Sequence, residues 1–490
     1  MRGGVLRGSR YDVRTASMVE LISAAYGMEG EKVLGGPSWL ETDRFDIAAK
    51  APAGASPETV KLMLQTLLAD RFKLKIHMDS KPMPAYVLTM GKGKPKLKES
   101  DGSANSRCEG QTQNTEPGAV RYFMVSCRNR SMEQLAQDLR NMGAGYLPNP
   151  VVDQTGLKGT WDFDLKWNGR NQLAAAGADA ISIFDAVDKQ LGLKLESQKV
   201  AMPVIVVDSV NQKPTENPPG IAAKLPAPPP AEFEVATIKP SAPGANNVIG
   251  KLEHGRLDVQ NFPLKDLIIL AWDLSGEELL AGAPKFLDSA RYDITAKAPP
   301  PAPGTETDIE DLRLMVRALL ADRFKLKTHM EERPVDGYVL SAVKPKLQNA
   351  DPSNRTGCKE GPGADGKDPR IANPIRGRLM SCRNMTMAQF ADVLPNWASG
   401  YAHVNVLDST GLTDPYDFTI NFSAVNVVRN SRPAAQPASA SGVDEVAADP
   451  SGAISLPDAL NRQLGLKLEL KKRPMQVLVI DHIDEKPTDN

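Results

Sequence analysis

Histidine changes its charge near neutral pH, so a histidine that recurs at equivalent positions is the first candidate for chemistry. His77 and His329 each lie two residues after the identical stretch LLADRFKLK, at residues 67–75 and 319–327. One interpretation is a catalytic or metal-binding role. The other is a solvated strand face, because neighbouring lysines oppose both protonation and metal binding. We predict the second.

Aspartate can act as a nucleophile, a metal ligand or a turn former. Asp153 and Asp408 occur in the motif D-x-T-G-L, with Gly156 and Gly411 as its glycines. These two aspartates are the candidates for a hydrolase reaction, but a side chain that caps a turn explains the motif without chemistry. We predict a structural role for all four residues.

The repeated stretch also carries an acid beside a base. Asp70 and Asp322 precede Arg71 and Arg323, and we expect each pair to hold the junction together locally. Every second residue at the end of LLADRFKLK is basic. This alternation predicts either a solvated strand face or a face that binds an anionic polymer. The six basic residues of this face are Arg71, Lys73, Lys75, Arg323, Lys325 and Lys327.

Four cysteines fall two in each half of the chain, at Cys108, Cys127, Cys358 and Cys382. They allow three pairings, and a duplicated domain favours one bridge within each half. Free thiols remain the alternative, whereas zinc is disfavoured because no CxxC pair or histidine cluster accompanies the cysteines. Disulfides would indicate an oxidising compartment.

Other motifs of chemistry are missing from the sequence. It contains no HExxH, no GxSxG and no glycine loop that would cradle a phosphate, so we predict no metal and no cofactor. The 59 basic and 60 acidic residues leave almost no net charge, which argues against nucleic acid as a partner. No apolar run is long enough to span a bilayer as a helix.

The elements that must position these residues follow from periodicity. Apolar residues spaced by three and four up to Leu67 predict a helix, and a period of two then predicts a strand that starts at Arg71 and buries Phe72. The same change of period recurs around Phe324. In both copies of QLGLKLE, Gly192 and Gly465 stand where a helix ends in a left-handed residue.

Self-comparison divides the chain into two homologous repeats. We predict a first repeat at 1–217, a linker at 218–231 rich in proline and alanine, and a second repeat at 232–490 with a disordered loop near 424–452. The strand expected at 232–241 has no counterpart in the first repeat. We therefore expect a strand and a signal peptide to have been lost upstream of residue 1, which favours a secreted or periplasmic protein.

Helices and adjacent strands in mixed order predict an α+β fold, with a mixed sheet, about four helices and one disulfide in each repeat. The ordered motifs LLADRFKLK, YVL, PKL, D-x-T-G-L, QLGLKLE and KPT-x-N resemble an uncharacterised, soil-associated protein family abundant in acidobacteria. That resemblance implies export. It also implies kinship with domains joined to membrane-bound peptidases of the antibiotic-sensing type.

The prediction for function is a non-catalytic, exported binding module whose partner is a protein or an envelope polymer. One alternative is an extracellular or periplasmic hydrolase that uses Asp153 and Asp408. Another is a sensory domain detached from its peptidase. The ligand, the oligomeric state and the orientation of the two repeats do not follow from the sequence.

Overall fold

Long strands that cross from one packing unit to the next organise this α+β chain. The computed structural model describes residues 2–112, 122–143, 145–170, 173, 180–227, 231–242, 248–253, 255–299, 309–351, 354–363, 368–370, 372–373, 375–431 and 452–488. None of the helices within these ranges is long and apolar enough to cross a membrane.

The first repeat alternates strands and helices. In chain order its elements are β1 (Arg2–Arg7), β2 (Arg10–Ala16), α1 (Met18–Tyr26), β3 (Val33–Gly35), β4 (Phe45–Lys50), α2 (Pro57–Phe72), β5 (Lys75–Met90), β6 (Lys98–Glu99), β7 (Arg107–Thr112), β8 (Phe123–Arg130), α3 (Met132–Met142), β9 (Val151–Asp153), β10 (Trp161–Trp167), α4 (Ile183–Ala186), which runs into a π-helical turn at Val187–Leu191, and β11 (Leu193–Ser209).

The linker and the second repeat follow. Their elements are α5 (Ile221–Lys224), β12 (Val235–Pro240), β13 (Ile249–Glu253), β14 (Arg256–Pro263), α6 (Leu264–Trp272), β15 (Leu280–Ala281), β16 (Arg291–Lys297), α7 (Ile309–Arg323), β17 (Lys327–Ala342), β18 (Gln348–Asn349), β19 (Gly357–Glu360), β20 (Arg378–Met385), α8 (Met387–Trp397), β21 (Val406–Asp408), β22 (Tyr416–Phe422), α9 (Val425–Ser431), α10 (Leu456–Ala459), which runs into a π-helical turn at Leu460–Leu464, and β23 (Leu466–His482).

Each repeat folds as two lobes joined by a two-stranded ribbon. In the first repeat β1, β2 and β4 pack with α1 and α2, whereas β6, β7, β8 and β10 pack with α3 and α4. Strands β5 and β11 pair antiparallel along almost their whole length and pass from one lobe to the other. The second repeat has the same plan, with β17 and β23 as its ribbon. Strands are thus divided among three sheets in each repeat, and the sheet that contains the ribbon is the mixed one.

The two lobes of a repeat are built on one pattern, so the chain holds four related units. In each unit a residue with positive φ precedes the first helix and donates its N–H to an aspartate of the strand that follows. The four donor and acceptor pairs are Thr15 with Asp46, Asn129 with Asp162, Asn261 with Asp293, and Asn384 with Asp417, at 2.8 to 2.9 Å. A residue with positive φ also ends the second helix of every unit, at Lys73, Gly192, Lys325 and Gly465.

These helix ends correct one prediction. Helix α2 runs through Arg71 and Phe72, Lys73 is left-handed, and the strand begins only at Lys75. The predicted strand start at Arg71 is wrong because a left-handed residue ends the helix there and is followed by a buried leucine, which imitates a period of two. Phe72 and Phe324 are nevertheless buried as expected.

Both of the predicted irregular segments contain a short helix. In the linker it is the turn α5 at Ile221–Lys224, a stretch without proline. Helix α9 occupies the start of the loop predicted near 424–452, and residues 432–451 lie outside the described residues. Strand β12 pairs with β16 as an edge strand, whereas no described strand pairs with the corresponding edge of β4.

A polar contact joins the two repeats. The Arg355 guanidinium donates to the Val33 carbonyl and lies 3.7 Å from the Glu41 carboxylate. Farther along, Arg170 of the first repeat lies 3.5 Å from Asp368 of the second. We call these the inter-repeat contact.

Candidate functional site

The arginine of LLADRFKLK binds the end of its own repeat. Arg71 donates from Nε to the Thr215 hydroxyl at 2.9 Å, and from Nη2 to the Thr215 carbonyl at 2.6 Å and to Asn217 at 2.7 Å. We predicted that Arg71 would pair with Asp70, and this prediction is wrong, because the guanidinium of Arg71 is bound to Thr215 and Asn217 instead. The motifs LLADRFKLK and KPTEN, far apart in sequence, form one structural joint.

The second repeat builds the same joint more deeply. Arg323 is 8% exposed and donates to the carbonyl and hydroxyl oxygens of Thr488. Asp322 is an exposed carboxylate, and its carbonyl accepts from Lys325 at 2.6 Å. Arg71 and Arg323 lie in helices, and only Lys75 and Lys327 among the six basic residues lie on strands. The six basic residues therefore do not form one strand face.

The aspartates proposed for hydrolysis shape turns. Asp153 Oδ1 accepts from both the N–H and the hydroxyl of Thr155 at 2.8 Å. Asp408 makes the same bonds to Thr410 at 2.8 and 2.7 Å. Gly156 and Gly411 then adopt positive φ, and this geometry supports the structural role that we predicted for both aspartates.

Both repeated histidines pair with a carboxylate across the ribbon. His77 Nδ1 lies 2.8 Å from Asp208 Oδ1, and His329 Nδ1 lies 2.8 Å from Asp481 Oδ1. Each aspartate sits at a β-bulge of the partner strand, where the register shifts and turns its side chain toward the histidine. Both histidines are exposed on their strands, and each has a carboxylate partner in addition to the neighbouring lysines.

Exposed apolar side chains follow the two histidines in sequence and lie on the opposite face of each ribbon, because successive side chains of a strand alternate between its faces. Met78 is 57% exposed and Met330 is 51% exposed, although a large apolar residue gains by burial. Lys75 and Lys327 are also exposed at the start of each ribbon. We name these surfaces the ribbon patches. The first comprises Lys75, His77, Met78 and Asp208, and the second comprises Lys327, His329, Met330 and Asp481.

Further charges border both patches. A hydrogen bond from Lys81 lowers the pKa of Asp79, and one from Arg333 lowers the pKa of Glu331. A ribbon patch thus offers a cation and a His–Asp pair on one face of the ribbon and an apolar contact on the other, so a macromolecule that grips the ribbon can contact both.

The disulfides Cys108–Cys127 and Cys358–Cys382 are confirmed, one in each repeat. Each joins directly opposed residues of neighbouring strands. Among the described residues, the one trio of ligand-type side chains at metal-binding spacing is Cys108, Cys127 and Asp138. Disulfide sulfurs are not thiolates, so this trio is not a metal site in the oxidised protein.

Sequence reasoning missed Asp208 and Asp481 as partners of the histidines. A signal for them existed, because VVD and VID recur at the same distance from KPT in both repeats. The bulge that aims them was not predictable, since it depends on pairing between strands that lie far apart in sequence.

Comparison with known proteins gives a family but no named relative. A family model described as protein of unknown function (DUF3738) matches residues 19–210 and again residues 265–483. No curated protein and no solved structure matches the chain.

Proposed function

The chain belongs to the DUF3738 family of unknown function and contains two copies of the family's domain. We propose that it is a non-catalytic binding protein, because both copies expose the same groups at their surface. Its partner is an envelope polymer or protein, held at the two ribbon patches. The observation that carries this proposal is that both repeats expose the same groups on their ribbons, Met78 and Met330 on one face and equivalent His–Asp pairs on the other.

The other repeated polar groups form hydrogen bonds within the fold, which supports binding rather than catalysis. Arg71 and Arg323 are used within the fold, and so are Asp153 and Asp408. The ribbon patches are repeated and remain exposed to a partner. A single exposed apolar residue is ordinary at a protein surface, so it is the repetition of an exposed methionine at the same position of both ribbons that supports an interaction site.

Two patches on one chain favour bivalent attachment. When one patch is bound, the second meets the same polymer at a raised effective concentration, so the overall affinity can exceed that of either patch by a factor of about 10² to 10⁴. A protein that adheres to a repetitive surface gains most from this arrangement.

The two disulfides support a location in an oxidising compartment, either secreted or periplasmic. In such a compartment the ribbon patches would meet extracellular or envelope polymers directly. Mass spectrometry of the thiol state in unfractionated cells, with rapid alkylation, tests this part, and free thiols at all four cysteines would contradict it.

Retention on immobilised envelope material tests the binding. We expect Met78→Asp or Met330→Asp to shorten retention by at least about tenfold, because either change leaves a single patch, and the double variant to abolish it. Leu62→Asp is the matched control, since Leu62 is 61% exposed on α2 and outside both patches. Equal retention of the double variant and the control would refute the proposal.

A further inference from the structure

The two disulfides occupy equivalent places in the two repeats. Cys108–Cys127 joins β7 to β8, and Cys358–Cys382 joins β19 to β20, in each case at directly opposed residues. The strands β7 and β19 both lie at the edge of their sheets, and β8 and β20 both lead into a capped helix, α3 or α8. Any difference in how the two bridges behave therefore comes from the side chains around them.

In the first repeat a pair of opposite charges borders the disulfide. Asp138 Oδ2 lies 3.3 Å from Cys108 Sγ, and the ligand-type atoms of Cys108, Cys127 and Asp138 all lie within 4.8 Å of one another. Arg130 donates to the two carboxylate oxygens of Asp138, from Nε at 2.8 Å and from Nη2 at 2.7 Å. The side chains of Arg130 and Asp138 are only 16% and 18% exposed. The carboxylate is thus fixed beside the sulfur, with little water to compete for it.

In the second repeat apolar side chains replace this pair. The match of SCRNMTMAQFADV with SCRNRSMEQLAQD places Met385 and Val393 where the first repeat has its arginine and aspartate. Cys382 and Met385 are each 2% exposed, and Cys358 and Val393 pack against the same apolar core. Within the described ranges, no carboxylate lies within 4.8 Å of both sulfurs of this bridge. These surroundings offer a thiol no charged acceptor.

Access to the two bridges differs as well. Cys108 is half-buried, and its neighbours Arg107 and Glu109 on β7 are exposed. In the second repeat the first repeat packs against the residue just before the corresponding cysteine, because a Cβ on Gly357 would collide with the Glu41 carboxylate. A reductant therefore meets less obstruction at Cys108.

We propose that Cys108–Cys127 is a reversible redox site that a dithiol reduces, with Asp138 as the acceptor that stabilises the reduced form. In the disulfide neither sulfur carries a proton, so Asp138 gains no hydrogen bond from it. In the reduced form the Cys108 S–H donates to Asp138 Oδ2, and a hydrogen bond to a charged acceptor contributes more than a neutral one. Reduction of the second bridge gains no such bond.

Reduction takes two exchange steps. A thiolate of the dithiol bonds to Cys108 Sγ and breaks its bond to Cys127, whose sulfur takes the electron pair and then a proton. The second thiolate of the dithiol bonds to the first sulfur, which closes a disulfide within the reductant and releases Cys108. Cys108 then takes a proton and donates it in a hydrogen bond to Asp138. Two electrons and two protons have passed from the dithiol to the cysteines.

Equilibration of the full chain with defined ratios of reduced and oxidised dithiothreitol tests the proposal. Alkylation followed by peptide mass spectrometry gives a separate equilibrium constant for each bridge. We expect Cys108–Cys127 to favour the dithiol at least about tenfold more than Cys358–Cys382 does, which corresponds to one charge-assisted hydrogen bond. Circular dichroism should stay native while only the first bridge is reduced.

A double variant provides the matched control. Arg130→Met combined with Asp138→Val installs both residues of the second repeat and removes the two charges together. We expect this variant to lose the tenfold preference, while the constant for Cys358–Cys382 stays unchanged. Asp138→Asn is a milder change that keeps the shape but weakens the acceptor, so it should lose part of the preference. Native circular dichroism of the oxidised variants would show that each is folded.

Three results would overturn the proposal. They are equal constants for the two bridges in the wild type, an undiminished preference in both folded variants, or loss of the native circular dichroism once the first bridge is reduced. The last result would make Cys108–Cys127 a purely structural bridge. Retention through the ribbon patches is measured on the oxidised protein, so its outcome does not decide this one.

Discussion

Arg323 shows how much one side chain of the repeated motif contributes to the fold. Its guanidinium is 8% exposed and binds both oxygens of Thr488, which ties the end of the second repeat to helix α7. Hydrogen bonds from a charged group contribute more than neutral ones, about 1.5 to 3 kcal/mol each, and a buried partner left unpaired adds to the loss. Arg323 therefore gives the repeated motif LLADRFKLK a stabilising role in the fold.

We predict that Arg323→Ala lowers the free energy of unfolding by about 2 kcal/mol or more, as measured by urea denaturation of the second repeat within the full chain. Arg71→Ala should cost less, because Arg71 is more exposed. Arg323→Lys should recover only part of the loss, since an ammonium cannot reproduce the planar fork. An unchanged midpoint in Arg323→Ala would contradict this assignment.

At the scale of elements, the helix-to-strand junction explains why glycine occupies two of four equivalent positions. Gly465 has φ of +67°, and a Cβ there would collide with the backbone carbonyl of Lys344. Lys73 and Lys325 hold the same left-handed conformation with a side chain. The difference lies in the neighbouring loop, which crosses directly over Gly465.

Gly465→Ala and Gly411→Ala separate two destabilising effects of a side chain, the strain of a left-handed backbone and a clash with neighbouring backbone. Gly411 has φ of +69° but open space around it, so its substitution should cost only the left-handed penalty, about 1 to 2 kcal/mol. Gly465→Ala should cost clearly more, because backbone must also move. Thermal melts of both variants measure the difference, and equal losses would show that the close approach of the Lys344 loop does not matter.

Some of the elements could be predicted from the sequence, whereas others depend on pairing between distant strands and could not. Helices α2 and α7 follow from the spacing of apolar residues, a local signal that needs only a few neighbouring positions. The four-unit pattern escaped detection because its units share mainly a left-handed residue and an aspartate, which pair across the sheet. The ribbon patches escaped for the same reason, since Asp208 meets His77 only through pairing between distant strands.

For the whole molecule, the inter-repeat contact responds to pH through Asp368. Burial alone would raise the pKa of Asp368, but hydrogen bonds and charge from Arg370, with the charge of Arg170, outweigh it and lower that pKa. A lowered carboxyl pKa contributes stability above the unfolded value, near about 4, which is lost as pH falls through the folded value. Burial raises the pKa of Glu41 despite Arg355, so Glu41 contributes in the opposite sense.

Asp368 should dominate, because Arg370 donates two hydrogen bonds to its carboxylate at 2.8 Å, whereas Arg355 and the Glu41 carboxylate approach only to 3.7 Å. We therefore expect the radius of gyration from small-angle scattering to stay constant near neutral pH and to rise only below the ordinary carboxyl pKa of about 4, where Asp368 becomes protonated and the two repeats separate. Asp368→Asn should be expanded already at pH 7. A constant radius throughout the acid range in which native circular dichroism persists would contradict this expectation.

The crossing ribbons also dictate an order of events during protein synthesis. Strand β3 pairs with β11 at Ile205, and β9 pairs with β5 at Tyr86. A ribosome must therefore deliver nearly the entire first repeat before its earliest lobe can close, and at that point most of the second repeat has not yet been synthesised. Nascent chains stalled before β11 should remain open to chaperones and proteases, whereas chains released past residue 217 already carry a finished domain.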